Sequence, residues 1–121
     1  MNVLLDHCLP RQLAELLVEH RVRTTGDMNW EQVLNGELLR FAADQFDVFV
    51  TIDKNLSAQQ NKGALPLCVV VLDPRNTGAD PVIALAPKLQ RLLRQKLRKR
   101  VYRISDHDED LSPRRKKEPT R

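Results

Sequence analysis

The sequence has no glycine-rich loop, no paired cysteine motif and no long apolar run, and each absence removes a class of protein. Its four glycines are scattered at positions 26, 36, 63 and 78, which excludes the common nucleotide-binding fingerprints. The two cysteines, Cys8 and Cys68, lack metal-type spacing and read as reduced thiols of a cytoplasmic protein. No apolar stretch approaches the ~20 residues of a membrane span, and Asp6 and His7 interrupt the one segment that resembles a signal-peptide core. Aromatic side chains are few: Trp30, Phe41, Phe46, Phe49 and Tyr102. At 121 residues the chain is long enough for one domain with a single core.

What is present is a set of short, fully apolar runs. Val48–Ile52 is apolar or β-branched at every position and passes directly into Asp53. A run apolar on successive positions is buried on both faces, as in the middle of a parallel sheet. The first strand, Asn2–Leu5, repeats the pattern and passes into Asp6. In open α/β sheets ligands bind at the carboxyl ends of the strands, so Asp6 and Asp53 are site candidates; the bland alternative is an Asp that caps the following turn.

In chain order the pattern predicts helix over Pro10–His20, a short strand over Val22–Thr25, and a helix beginning near Asn35 as N-cap with Leu38, Leu39, Ala42 and Phe46 inward. Glu37 falls in the first turn of that helix, where the dipole favours negative charge. Asn55–Asn61 suggests a short helix and Leu67–Leu72 a second central strand, with Asp73–Gly78 a turn by composition. Pro81–Arg100 reads as mostly helix, followed by an edge strand at Val101–Ile104. Such alternation predicts a three-layer α/β/α sandwich around a mainly parallel sheet of four to five strands. The domain spans residues 1–104, and residues 105–121, charged with Leu111 the one large apolar residue, form a tail expected to be disordered.

The net charge of +4 is concentrated. Residues 88–103 carry eight bases and no acid, whereas residues 1–87 carry eleven acids and seven bases. That stripe, with Arg91, Arg94 and Arg98 in it, suits a phosphate backbone, or is simply the solvated face of a helix. If the first and third strands are neighbours, Asp6 and Asp53 meet at one edge and Glu37 enters the same cleft. Clustered carboxylates repel unless protonated or bridged by a cation, and oxygen ligands select Mg²⁺ or Mn²⁺. Asn55 would add a carbonyl oxygen and Lys54 a phosphate contact. A zinc site at His7 and Cys8 lacks a second pair of ligands, and Ser57 lacks a partner for nucleophilic catalysis.

Three separated motifs carry a family resemblance. Val3-Leu4-Leu5-Asp6-His7-Cys8-Leu9-Pro10, the Asn35-Gly36-Glu37-Leu38-Leu39 helix start, and Phe46–Leu56 with its strand-Thr-x-Asp core together resemble a bacterial family of small PIN-like proteins. The resemblance covers roughly residues 1–104. It implies a PIN-like fold related to metal-dependent ribonucleases and to the toxins of bacterial toxin–antitoxin pairs, with Asp6, Glu37 and Asp53 at the acidic metal positions. Asn55 stands where relatives often carry Asp, and His7 where many carry Glu. The expected function is therefore a Mg²⁺- or Mn²⁺-dependent ribonuclease acting on RNA, with an antitoxin-like partner and a homodimer as open assemblies. The competing expectation is an inactive PIN-like module that binds RNA or a protein.

Overall fold

The computed structural model describes residues 1–54 and 65–107. Five strands, β1 (Asn2–Leu5), β2 (Arg21–Thr24), β3 (Val48–Thr51), β4 (Cys68–Asp73) and β5 (Val101–Ser105), form one sheet in the order β2-β1-β3-β4-β5. Every neighbouring pair is parallel. The apolar runs explain the centre of this order: all residues of β3 and β4 are buried, as strands covered on both faces require. β2, whose side chains alternate between exposed and half-buried, lies at an edge.

Side-chain alternation divides the core in two. Val3, Leu5, Val48, Val50, Val70 and Leu72 point to one face, where they meet helices α1 (Arg11–Leu16), α3 (Ala79–Ile83) and α4 (Ala86–Leu93). Leu4, Phe49, Val69 and Val71 point to the other, against Leu38, Leu39 and Ala42 of α2 (Asn35–Ala43) and Phe46 after it. Helices thus cover both faces of the sheet, an arrangement compatible with a three-layer α/β/α sandwich.

Three helices differ from their sequence expectation. The first, expected over Pro10–His20, spans only Arg11–Leu16. Asn35 is the first residue of α2 rather than its cap; Leu34 occupies the cap position with no side-chain hydrogen bond. The long helix expected over Pro81–Arg100 is two short ones. Pro87 has no N–H to give to a preceding turn and sits at the start of α4, where that loss costs nothing. Past Leu93 a continued helix would stack Arg94 on Arg98 and Lys96 on Arg100, like charges four apart with no acid between them. The chain leaves the helix there, and the Arg98 N–H donates to the Tyr102 hydroxyl at 3.0 Å. The short helix expected at Asn55–Asn61 lies outside the described residues, as does the tail from 108 onward; β5 itself continues one residue further than expected, through Ser105.

Candidate functional site at the carboxyl edge of the sheet

The strand order reverses direction between β1 and β3, because the chain goes first to β2 on one side and then to β3 on the other. At such a switch point the crossovers leave in opposite directions and open a crevice beyond the carboxyl ends of the strands. Register carries the polar residues to that crevice. Leu5 pairs with both Thr24 and Val50, so the next residue on each strand, Asp6, Thr25 and Thr51, forms a row. Asp73 pairs with Ser105 at the end of β4 and β5. Among the described residues the buried polar side chains are Thr25, Thr51, Asp73 and Ser105, and each sits at the carboxyl end of a strand. Burying a polar group costs free energy unless it is bonded, so their gathering at one edge marks it as the place where the fold accepts that cost.

Thr51 joins the two predicted acids. Its hydroxyl donates to Asp6 Oδ2 at 2.7 Å and accepts the Asp53 backbone N–H at 3.1 Å. The Asp6 N–H donates to the Val50 carbonyl at 2.9 Å, which locks the strand end in register. The other oxygen of Asp6, Oδ1, has His7 Nδ1 at 3.3 Å. His7 is itself held by Thr25, whose hydroxyl accepts the His7 N–H at 2.9 Å and lies 2.9 Å from Nδ1. The Cys8 thiol is pushed up to about 11, first by burial of the sulfur, then by the Asp6 charge and a hydrogen bond to it. Cys8 is thus a protonated neighbour of Asp6 and not a thiolate ligand.

Asp73 organises the second half of the row. Its carboxylate is buried, 3% exposed for the residue as a whole. Arg103 donates to Oδ2 through Nε at 2.9 Å and through its terminal nitrogen as well. Lys54 Nζ lies 2.7 Å from Oδ1, a close ion pair rather than a directed hydrogen bond, and His107 Nε2 lies 4.0 Å from Oδ2. Burial by itself would raise the Asp73 pKa, but Lys54 and Arg103 outweigh it and hold the carboxyl below its ordinary value. Lys88, on the first turn of α4, donates to the Ser105 carbonyl at 2.7 Å.

The sequence-predicted residues separate into those the fold gathers here and those it does not. Asp6, Asp53 and Lys54 are at the edge. Glu37 lies exposed in the first turn of α2, and among the described residues no three His, Cys, Asp or Glu side chains stand close enough to hold a metal ion. Asn55 lies outside the described residues. Arg94 is turned to the opposite end of the sheet, where Nε and a terminal nitrogen donate to Glu19 at 3.2 and 3.1 Å. Arg98 precedes β5 and is at that same amino end, beside Met1 and Asp47. Arg91 is exposed partway along α4. The basic segment therefore winds from the carboxyl edge to the amino edge and does not present one face to the acids.

Sequence reasoning missed Thr51, Thr25, Asp73 and Ser105, and it did not single out Arg103. The signal for Asp73 was available: Leu67–Leu72 passes into it as Val3–Leu5 passes into Asp6. It was obscured by Pro74-Arg75-Asn76, which read as a turn. Compared with known proteins, the chain matches no family model, no curated protein and no solved structure. What the fold and edge define is a class: a parallel α/β protein with carboxylates and cations gathered along the carboxyl edge of its sheet.

Proposed function

We propose that the protein is a PIN-like, Mg²⁺- or Mn²⁺-dependent ribonuclease whose metal is held by Asp6 and Asp53. The observation that supports this reading is the Thr51 hydroxyl, which holds the Asp6 carboxylate of one strand end beside the backbone N–H of Asp53 at the next. Mg²⁺ keeps several of its waters and needs one or two protein carboxylates, with substrate phosphate completing the shell. A two-acid edge therefore suits it without a third acid, and Thr51 would supply the outer hydrogen bond that aims the Asp6 carboxylate. When bound, such an ion neutralises phosphate charge and lowers the pKa of a coordinated water.

The chain's own groups do the rest. Asp6, Asp53 and Asp73 against Lys54 and Arg103 leave the edge one negative charge in formal terms, and a divalent ion would reverse the sign. Metal would thus strengthen phosphate binding at this edge. Lys54, on the exposed side of Asp73, and Arg103 are the cations nearest a phosphate placed there. Glu37→Gln is the discriminating variant for the third acid: unchanged Mn²⁺ affinity confines the site to the two strand-end carboxylates.

A second reading, an inactive module that binds RNA or a protein partner, is favoured by the lack of a three-acid group among the described residues. Single-stranded RNA incubated with the purified chain and Mn²⁺ separates the two. The hydrolase reading expects cleavage that Asp53→Asn abolishes and EDTA stops. Binding without cleavage under every condition would leave the second reading standing. For a toxin, expression would arrest growth in the wild type and not in Asp53→Asn, and an antitoxin-like partner would relieve it.

A further inference from the structure

Behind the acidic row, on the face of the sheet that carries α1 and α3, the carboxyl edge holds a pocket of about 410 Å³. Its walls are aliphatic: Pro10 at the start of α1, Ile52 after β3, Leu72 on β4 and Val82 on α3. Two polar side chains, Asn76 and Thr77, stand at its rim in the loop after β4. The pocket also reaches Lys54 and Asp73, the ion pair that ends the carboxylate row, and Cys8, which touches Asp6. Hydrophobic pocket and candidate phosphate site thus share a border.

We infer that this pocket is a nucleobase subsite, receiving one unstacked base of the substrate while the adjoining phosphate faces Lys54 and the Asp6–Asp53 pair. The inference rests on the ribonuclease reading for the identity of the substrate, and its geometry is independent of metal. A base has two apolar faces and a hydrogen-bonding perimeter. Aliphatic walls with an amide and a hydroxyl in the lining match that division, and the Lys54 ammonium in the same lining matches the phosphate. Enzymes that act on nucleic acids take a base out of the stack into a pocket walled by aromatic or apolar side chains and read its edge by hydrogen bonds. The volume is at the compact end of the roughly 300–1,000 Å³ typical of small-molecule sites, a size for one nucleotide and not for a peptide. Ile52 supports the assignment: it is 37% exposed beside a fully buried strand, and its apolar surface faces the pocket.

The test is amide-resolved NMR titration of the full chain in EDTA, with 5′-AMP, 5′-UMP, ribose 5-phosphate and a short single-stranded RNA as probes. The expected result is shifts at Ile52, Leu72, Thr77 and Gly78 with a mononucleotide or the RNA, and none there with ribose 5-phosphate. Shifts with RNA alone would assign the pocket to a base within a chain; shifts with both would extend it to free nucleotides. Asn76→Ala with Thr77→Ala, both exposed positions, should weaken binding about tenfold through lost hydrogen bonds. Ala79→Phe, also at an exposed position, should block the pocket from outside. Equal shifts with ribose 5-phosphate, or variants that bind like the wild type, would overturn the inference. Because EDTA removes metal from the experiment, a failed ribonuclease assay and a failed base titration are separate results.

Discussion

Replacing Thr51 by Val keeps the shape of a fully buried side chain and removes the one hydroxyl that links the two acids. The hydrogen bond to the Asp6 carboxylate has a charged acceptor and is worth roughly 1.5–3 kcal/mol, and the stranded Asp53 N–H adds about 1 kcal/mol because its residue is half-exposed. A methyl in place of the hydroxyl returns about 1 kcal/mol of apolar burial. The net expectation is a loss of about 1.5–3 kcal/mol, a large part of a domain's ~5–15 kcal/mol. With an m-value of about 1.5 kcal/mol/M, urea unfolding should show a midpoint lower by roughly 1–2 M. Thr51→Ser retains the hydroxyl and should lose only the buried methyl, about 0.8 kcal/mol. Mn²⁺ affinity should fall on the order of 10–100-fold in the Val variant, as for other outer hydrogen bonds to metal-ligating carboxylates, and stay near wild type in the Ser variant. A Val variant as stable as the wild type, or a Ser variant as damaged as Val, would refute the claim that the hydroxyl organises the edge.

Two further outcomes follow from the groups around it. Asp73 has a folded pKa below its ordinary 3.8, set by burial opposed and exceeded by Lys54 and Arg103; its contribution to stability is complete above that value and is lost as pH falls through the lower folded one. Urea midpoints measured from pH 5 downward should therefore drop more steeply in the wild type than in Asp73→Asn, and parallel curves would contradict the ion cluster. The Cys8 thiol, pushed up to about 11 by burial and then by Asp6, should react slowly with iodoacetamide at pH 7 despite its exposed position. Asp6→Asn should move the pH midpoint of that reaction downward, and an unmoved midpoint would deny the contact between the two side chains.

The parts of the fold written in local pattern were legible from sequence. Val48–Ile52 and Leu67–Leu72 could be buried on both faces only in a central parallel sheet; Val48–Thr51 and Leu67–Leu72 are, and Ile52, past the strand end, is exposed. The switch point followed once β1 and β3 were taken as neighbours, and with it the position of Asp6 and Asp53 at the same carboxyl edge. What was not legible depended on where helices stop. A single helix over Pro81–Arg100 would have laid Arg91, Arg94 and Arg98 along one surface. The break at Pro87 and the exit after Leu93 scatter them, and Glu19, distant in sequence, takes Arg94. Asp73 shows the same limit from the other side: a residue that composition assigns to a turn becomes the buried anchor of two cations because β5 comes to lie beside β4. Pairing partners contributed by a later strand leave no mark on the earlier one.

The central claim is that the strand-end acids at positions 6 and 53 form a divalent-cation site, and calorimetric titration of the full chain with Mn²⁺ tests it most directly. The account predicts one site per chain, lost in Asp6→Asn and in Asp53→Asn and retained in Asp47→Asn, an acid at the amino edge that accepts the Asn2 N–H. Binding that survives both strand-end substitutions, or a wild type that takes up no Mn²⁺, would contradict it.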